Sequence, residues 1–236
     1  MKDGVSVLTA ISILGEKKVV RASSLLPAHE VYKHTEKTIF ADTGYTQEEL
    51  ESAADANRKG LANWYLIYYR GKSPKQILDE RFESKFGFGE VERFDKNHWF
   101  SHSNESYWTE KAEEPGYYLL NFVGEEDEYR ELRFENLTFS EQEKRIALLS
   151  GKERAPFHIV LDAVFSIFDV HRTLVLKHWN HLTNTRINDG SLLYLGATNS
   201  KASGEIMMNV FKFPQEQEND PKYYYGFGAV LLHKKQ

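Results

Sequence analysis

Apolar residues are densest between Glu153 and Trp179, and that stretch organises the reading of the whole chain. Nine of the twelve residues from Phe157 to Phe168 are apolar, too many for a helix with one wet face, so a helix buried nearly all round is predicted. Pro156 suits its first turn. The polar positions His158, Asp162, Ser166 and Asp169 fall four, four and three apart, so they form one narrow stripe that is expected to escape the core.

Before this helix the pattern alternates between strand and helix signals. Val5 to Leu14 and Val19 to Ala22 are rich in β-formers and flank Gly15 to Lys18, which predicts an N-terminal hairpin at a sheet edge. Thr46 and Glu49 are spaced as a capping box, and Gly60 closes the helix they open. Trp64 to Tyr69 is a short aromatic strand, and Ser73-Pro74 opens a helix ending near Arg81 to Glu83. Phe86 to Trp108 is irregular and aromatic, which fits a packed loop. Pro115-Gly116 turns into an interior strand at Tyr117 to Val123, and the acidic run Gly124 to Glu135 reads as solvated. Ser140 to Glu143 repeats the capping-box spacing, opening a helix that carries Ile146, Leu148 and Leu149 and stops at Gly151. So short a link to the central helix predicts two helices lying close together.

After Trp179 the character changes. Asn180 to Gly190 is polar and reads as a loop, and three β-like runs follow at Leu192 to Thr198, Glu205 to Phe213 and Tyr223 to His233. They predict an antiparallel meander. The whole is an α+β chain, with residues 1–45 as a β extension packed on one main domain, 46–236.

Composition narrows the partners more than the chemistry. The formal charge of -5 and pI near 6.0 leave no basic footprint, so no nucleic acid is expected. There is no cysteine, hence no disulfide, thiolate ligand or cysteine nucleophile. No apolar run approaches the length of a membrane span, and the start lacks a leader's compact apolar core. A soluble protein, cytoplasmic by default, is the expectation.

Catalytic signals are thin. His29 and His34 are five apart, which on a helix separates them by about 140°. His98 and His102 lie in irregular or extended chain, where residues four apart stand about 13 Å from each other. Asp169, His171, His178 and His181 form the richest local set of metal-ligand types, the basis of an alternative as a metal-dependent or His/Asp hydrolase. His158 and Asp162, one turn apart, could work as an acid–base pair or satisfy each other at the rim of the core. No Gly-x-Ser-x-Gly elbow is present, and Gly87-Phe88-Gly89 and Gly226-Phe227-Gly228 lack the third glycine of a phosphate loop. If Ile206, Met208 and Val210 face the core, then Glu205, Met207, Asn209 and Phe211 face outward, and two sizeable apolar side chains lie on a nominally wet face. That face is a contact surface, or one covered by other chain segments, or the seam of a structural homo-oligomer.

Gly60 to Trp64, Pro115 to Phe122, Glu143 to Leu149, Glu153-Arg154-Ala155, Ala163 to Phe168 and His178-Trp179 occur in an order that resembles a large family of uncharacterised bacterial proteins. The C-terminal segment of that family looks like the variable region of target proteins of diversity-generating retroelements. The resemblance covers roughly residues 60 to 235. It implies a C-type-lectin-like fold, with helices packed beside a twisted antiparallel sheet, and a ligand-binding or protein-binding module without catalysis. Its receptor surface would be built from the meander and the Asn180 to Gly190 segment, with Asn184, Arg186, Asn188, Tyr194, Glu205, Met207, Asn209 and Phe211 as the binding residues. The partner would be a protein or a small ligand. The chain departs from the family at Gly228 to Lys234, which is apolar where the family has a more polar strand. It has no Glu-Pro-Asn or Gln-Pro-Asp motif, so no calcium or other cofactor is expected.

Overall fold

The computed structural model describes residues 4–21, 41–83, 106–109, 113–122, 137–171, 173, 175–176, 180–199, 206–224 and 227–235. The elements, in chain order, are α1 (Val7–Leu14), β1 (Val19–Val20), α2 (Gln47–Arg58), β2 (Trp64–Tyr69), α3 (Pro74–Glu83), α4 (Ser106–Thr109) and β3 (Gly116–Phe122). They continue with α5 (Phe139–Leu148), β4 (Lys152–Arg154), α6 (Phe157–His171), β5 (Asn180–Arg186), β6 (Leu192–Asn199), β7 (Ile206–Phe213) and β8 (Phe227–His233). The fold is α+β, built on one mixed sheet of strand order β1-β2-β3-β8-β5-β6-β7, with β4 also paired to β8.

The side-chain period of a strand explains how this sheet is clad. On β2, Tyr65, Ile67 and Tyr69 join the core beneath α6, while Trp64 and Leu66 join a second core beneath α1 and α2. On β8, Val230 and Leu232 face the first core and Ala229 and Leu231 the second. Both faces of this half are therefore apolar and covered, as near-continuous runs such as Trp64 to Tyr69 require.

The central helix α6 is buried from Phe157 to Ile167. Its polar stripe does not escape. His158, Asp162 and Ser166 are all buried, and Asp162 is compensated there by Arg70, whose guanidinium reaches it (Nη2 to Oδ1, 2.6 Å) and whose backbone N–H donates to the other carboxylate oxygen at 3.3 Å. The two buried charges neutralise each other, so His158 is not the partner of Asp162. The Phe157 N–H donates to Thr185 Oγ1 (3.0 Å), so a strand distant in sequence caps the helix start.

Several expectations change. Val5 to Leu14 is not a strand of a hairpin. Ser6 Oγ accepts from the Thr9 N–H at 3.2 Å, and Val7, Ala10, Ile11 and Leu14 recur at helical spacing to form α1 against the second core. The extension is tied in by other means: Val5 N–H donates to Tyr45 O and Val7 N–H to Ala41 O, and β1 pairs in parallel with β2. The cap of α5 is Thr138 with Glu141, not Ser140 with Glu143. Between α5 and α6 lies β4, which pairs with β8, so the two helices are separated by a strand. Asn180 to Arg186 is a strand and not a loop, with His181, Leu182 and Thr183 buried. The meander is β5-β6-β7, antiparallel throughout, and β8 lies outside it, antiparallel to β3 and parallel to β5.

The capping box at Thr46 and Glu49, the Gly60 stop at φ 67°, and the β2, α3 and β3 elements lie where the sequence places them. Of the predicted aromatic loop, residues 86–105 lie outside the described residues, as does the acidic run at 124–135. Among the described residues, no helix is long and apolar enough to cross a membrane.

Candidate functional site

The sheet changes along its width. Beyond β8, α6 still covers one face, where Leu193, Leu195 and Val210 join its core. The opposite face of β6 and β7 carries no helix among the described residues except at its edge, where Phe139 of α5 packs with Leu182, Leu192 and Phe213. That edge is held tightly. Arg154, fully buried, donates from Nε to Glu143 (2.7 Å), from Nη2 to Gln142 (2.9 Å) and from Nη1 to the Leu182 carbonyl (3.2 Å). Its guanidinium carbon lies 5.0 Å from the centre of the Phe139 ring, and that of Arg186 lies 5.5 Å from it. Two cations on one ring join α5 to β4 and β5.

The uncovered face holds much of the expected binding set. Tyr194 and Phe211 are cross-strand partners in the β6/β7 register, and their rings stack with centroids 5.3 Å apart and planes 30° apart. Phe211 is 40% exposed and Tyr194 half-buried. Asn184 and Asn188 are exposed on β5 and the turn that follows it. Arg186 is exposed yet committed: it pairs with Glu218 at 2.5 and 2.8 Å and donates to the Gly190 carbonyl at 2.6 Å, which positions it as a wall of the face. The turn itself is pinned by Asp189, which accepts from Lys212 Nζ (2.7 Å) and the Ser191 N–H (2.9 Å). These donors hold its carboxyl well below the usual range, at about 2. The backbone of Met207 and Asn209 lies on β7, cross-strand from Thr198 and Gly196, whereas their side chains, and Glu205 altogether, lie outside the described residues.

Of the histidine set, the side chains of His171 and His181 lie among the described residues. His171, at the end of α6, has its pKa lowered by burial and by Lys17, with Lys18 adding to the effect, and the opposing pull of Glu16 does not reverse it. His181 sits in mid-sheet, paired across to Leu195 and Gly228 and 1% exposed. His178 and the Asp169 side chain lie outside the described residues. Among the described residues, no three His, Asp or Glu side chains stand close enough to hold a metal ion. His158 is buried with its Nδ1 unpartnered, and burial pushes its pKa down to about 4, so it stays neutral and is poorly suited to accept a proton near neutral pH.

Sequence reasoning missed one concave feature. A cavity of about 200 Å³ opens between α2, β2, the α5–β4 link and the end of β8, and its lining includes Ala53, Trp64, Asn121, Lys152 and His233. No two of these five are close in sequence, so no local pattern could reveal it. Compared with known proteins, the chain matches no family model, no curated protein and no solved structure.

Proposed function

We propose that the chain is a binding module of C-type-lectin-like type, which recognises a protein or small ligand on the uncovered face of β5, β6 and β7 and performs no chemistry on it. The observation that carries this reading is the stacked, partly exposed Tyr194–Phe211 pair on a face that α6 supports from behind. Aromatic side chains offer large contact area at low cost in conformational entropy, and strands hold them more rigidly than loops. Asn184 and Asn188 add adaptable hydrogen bonding at the rim, and the ion-paired Arg186 is fixed before any ligand arrives. The antiparallel meander backed by a helix, followed by a last strand that returns beside β3, fits the lectin-like arrangement.

Probing glycan and peptide arrays with the wild type and with Phe211→Ser tests the reading. Signals that the wild type gives and the folded variant loses support it; identical signals from both proteins contradict it. The likeness to retroelement-diversified proteins has its own test in the gene sequence across isolates. Substitutions concentrated at 184, 186, 188, 194, 205, 207, 209 and 211 support diversification, and an even spread contradicts it.

A further inference from the structure

The geometry points to a second binding site, separate from the meander face, in which the cavity beside Trp64 takes a small monocarboxylate with an apolar body and holds its carboxylate on Lys152. The lining carries two charged side chains, Glu49 and Lys152. Glu49 is committed to the fold: its Oε2 accepts from the Thr46 N–H at 2.8 Å and completes the cap of α2, and its Oε1 is buried with no partner. Lys152 has no counter-ion among the described residues: its ammonium lies 5.9 Å from the centre of the Trp64 ring, and Glu153, one residue on, is already taken by Lys234 at 2.8 Å. Burial lowers the Lys152 pKa. A half-buried cation without a counter-ion is a site that a ligand anion completes.

The other walls define the body of the ligand. Ala53 and Ala56 of α2, Trp64 of β2, Leu149 after α5 and Leu231 of β8 present apolar surface. Asn121, also in the lining, supplies a second donor. Its Oδ1 accepts from the Asn63 N–H at 2.8 Å, which orients the amide, and its Nδ2 donates to no described residue. An ammonium and an amide N–H together suit the two oxygens of one carboxylate. Glu49 places a fixed negative charge on another wall, which disfavours a second carboxylate on the ligand. The cavity is also smaller than pockets for drug-sized molecules, which restricts the occupant to roughly a single ring or a short branched chain.

Calorimetric titration with benzoate, its neutral isostere benzamide and its dianionic relative phthalate tests the assignment, together with Lys152→Met and Lys152→Arg. Benzoate is expected to bind the wild type, with benzamide and phthalate weaker by about tenfold or more. Lys152→Met is expected to lose a similar factor while melting as the wild type does, and Lys152→Arg, which keeps the charge, to retain most of the affinity. Phe211→Ser serves as a control and should bind benzoate normally. The assignment is overturned if benzoate gives no heat, if benzamide binds as tightly as benzoate, or if Lys152→Met binds benzoate undiminished. Should Lys152→Met fail to fold, the ligand comparison on the wild type decides the matter.

Discussion

The two halves of the sheet solve the same burial problem differently. From β1 through β3 to β8, α6 covers one face and α1 with α2 the other, so successive residues such as Trp64 and Tyr65, or Leu231 and Leu232, both enter a core. Across β5 to β7 the α6 face is sealed, and on the other face the apolar cluster among the described residues is Leu182, Leu192 and Phe213, with Phe139 and Tyr194 packed against it. From there Tyr194 stacks on Phe211, a pair partly open to water. Stability is concentrated where both faces are covered, and side chains are freer to change where one is not. Substitutions in the first half should unfold the protein, whereas those on the open face should leave it standing.

The largest effect is expected at the buried ion pair of the covered half. Asp162→Ala removes the buried carboxylate that pairs with the Arg70 guanidinium, whose side chain is 9% exposed, which should cost about 3–5 kcal/mol in urea unfolding. An Asp162→Ala loss below about 1 kcal/mol would show that α6 does not depend on this pair.

A loss of on the order of 3 kcal/mol is expected from pH, through His158. Its folded pKa of about 4 lies below the ordinary 6.5, so the unfolded chain binds the proton more readily. The stabilising contribution is whole above pH about 6.5 and is lost progressively as pH falls to about 4. Urea midpoints across this window should therefore fall more steeply in the wild type than in His158→Leu, and equal slopes would contradict the account.

Tyr45→Phe should cost about 1–3 kcal/mol by thermal or chemical melting. The Tyr45 hydroxyl accepts from the Leu119 N–H at 3.0 Å and donates to the His233 carbonyl at 2.9 Å, and its loss takes a partner from the buried Leu119 N–H and from the part-buried His233 carbonyl. At the other end of the scale, Phe211→Ser on the open face, which loses the stack on Tyr194, should cost only about 1 kcal/mol. A large loss there would mean that the face is core and not a binding surface.

How much of this was legible in the sequence depends on whether the signal was local. The buried central helix, the capping box at Thr46 and the aromatic strand at Trp64 each declare themselves within a dozen residues, and each is present. At α1 the local signal is divided, since Val, Ile and Thr weigh toward strand while Val7, Ala10, Ile11 and Leu14 keep a helical period and Ser6 supplies a cap. β5 was misread because Asn180 to Arg186 is almost wholly polar. It is a strand because β6 and β8 pair its backbone and because its buried Thr183 hydroxyl donates to the Leu193 carbonyl at 2.9 Å.

For the site, the outward position of Phe211 followed from strand alternation. The commitment of Arg186 to Glu218, 32 residues away, did not, nor did the Arg154 network. The cavity beside Trp64 draws on segments from Glu49 to His233, and only the folded chain assembles it.

The most direct test of the difference between the two halves is hydroxyl-radical footprinting of the ligand-free protein, read side chain by side chain. Phe211 and Tyr194 should be labelled readily, while Tyr45, Tyr69 and Phe165, each 2% exposed or less, stay protected until the protein unfolds. Protection of Phe211 and Tyr194 equal to that of the core aromatics would contradict the account, because it would mean that the meander is covered on both faces like the rest of the sheet.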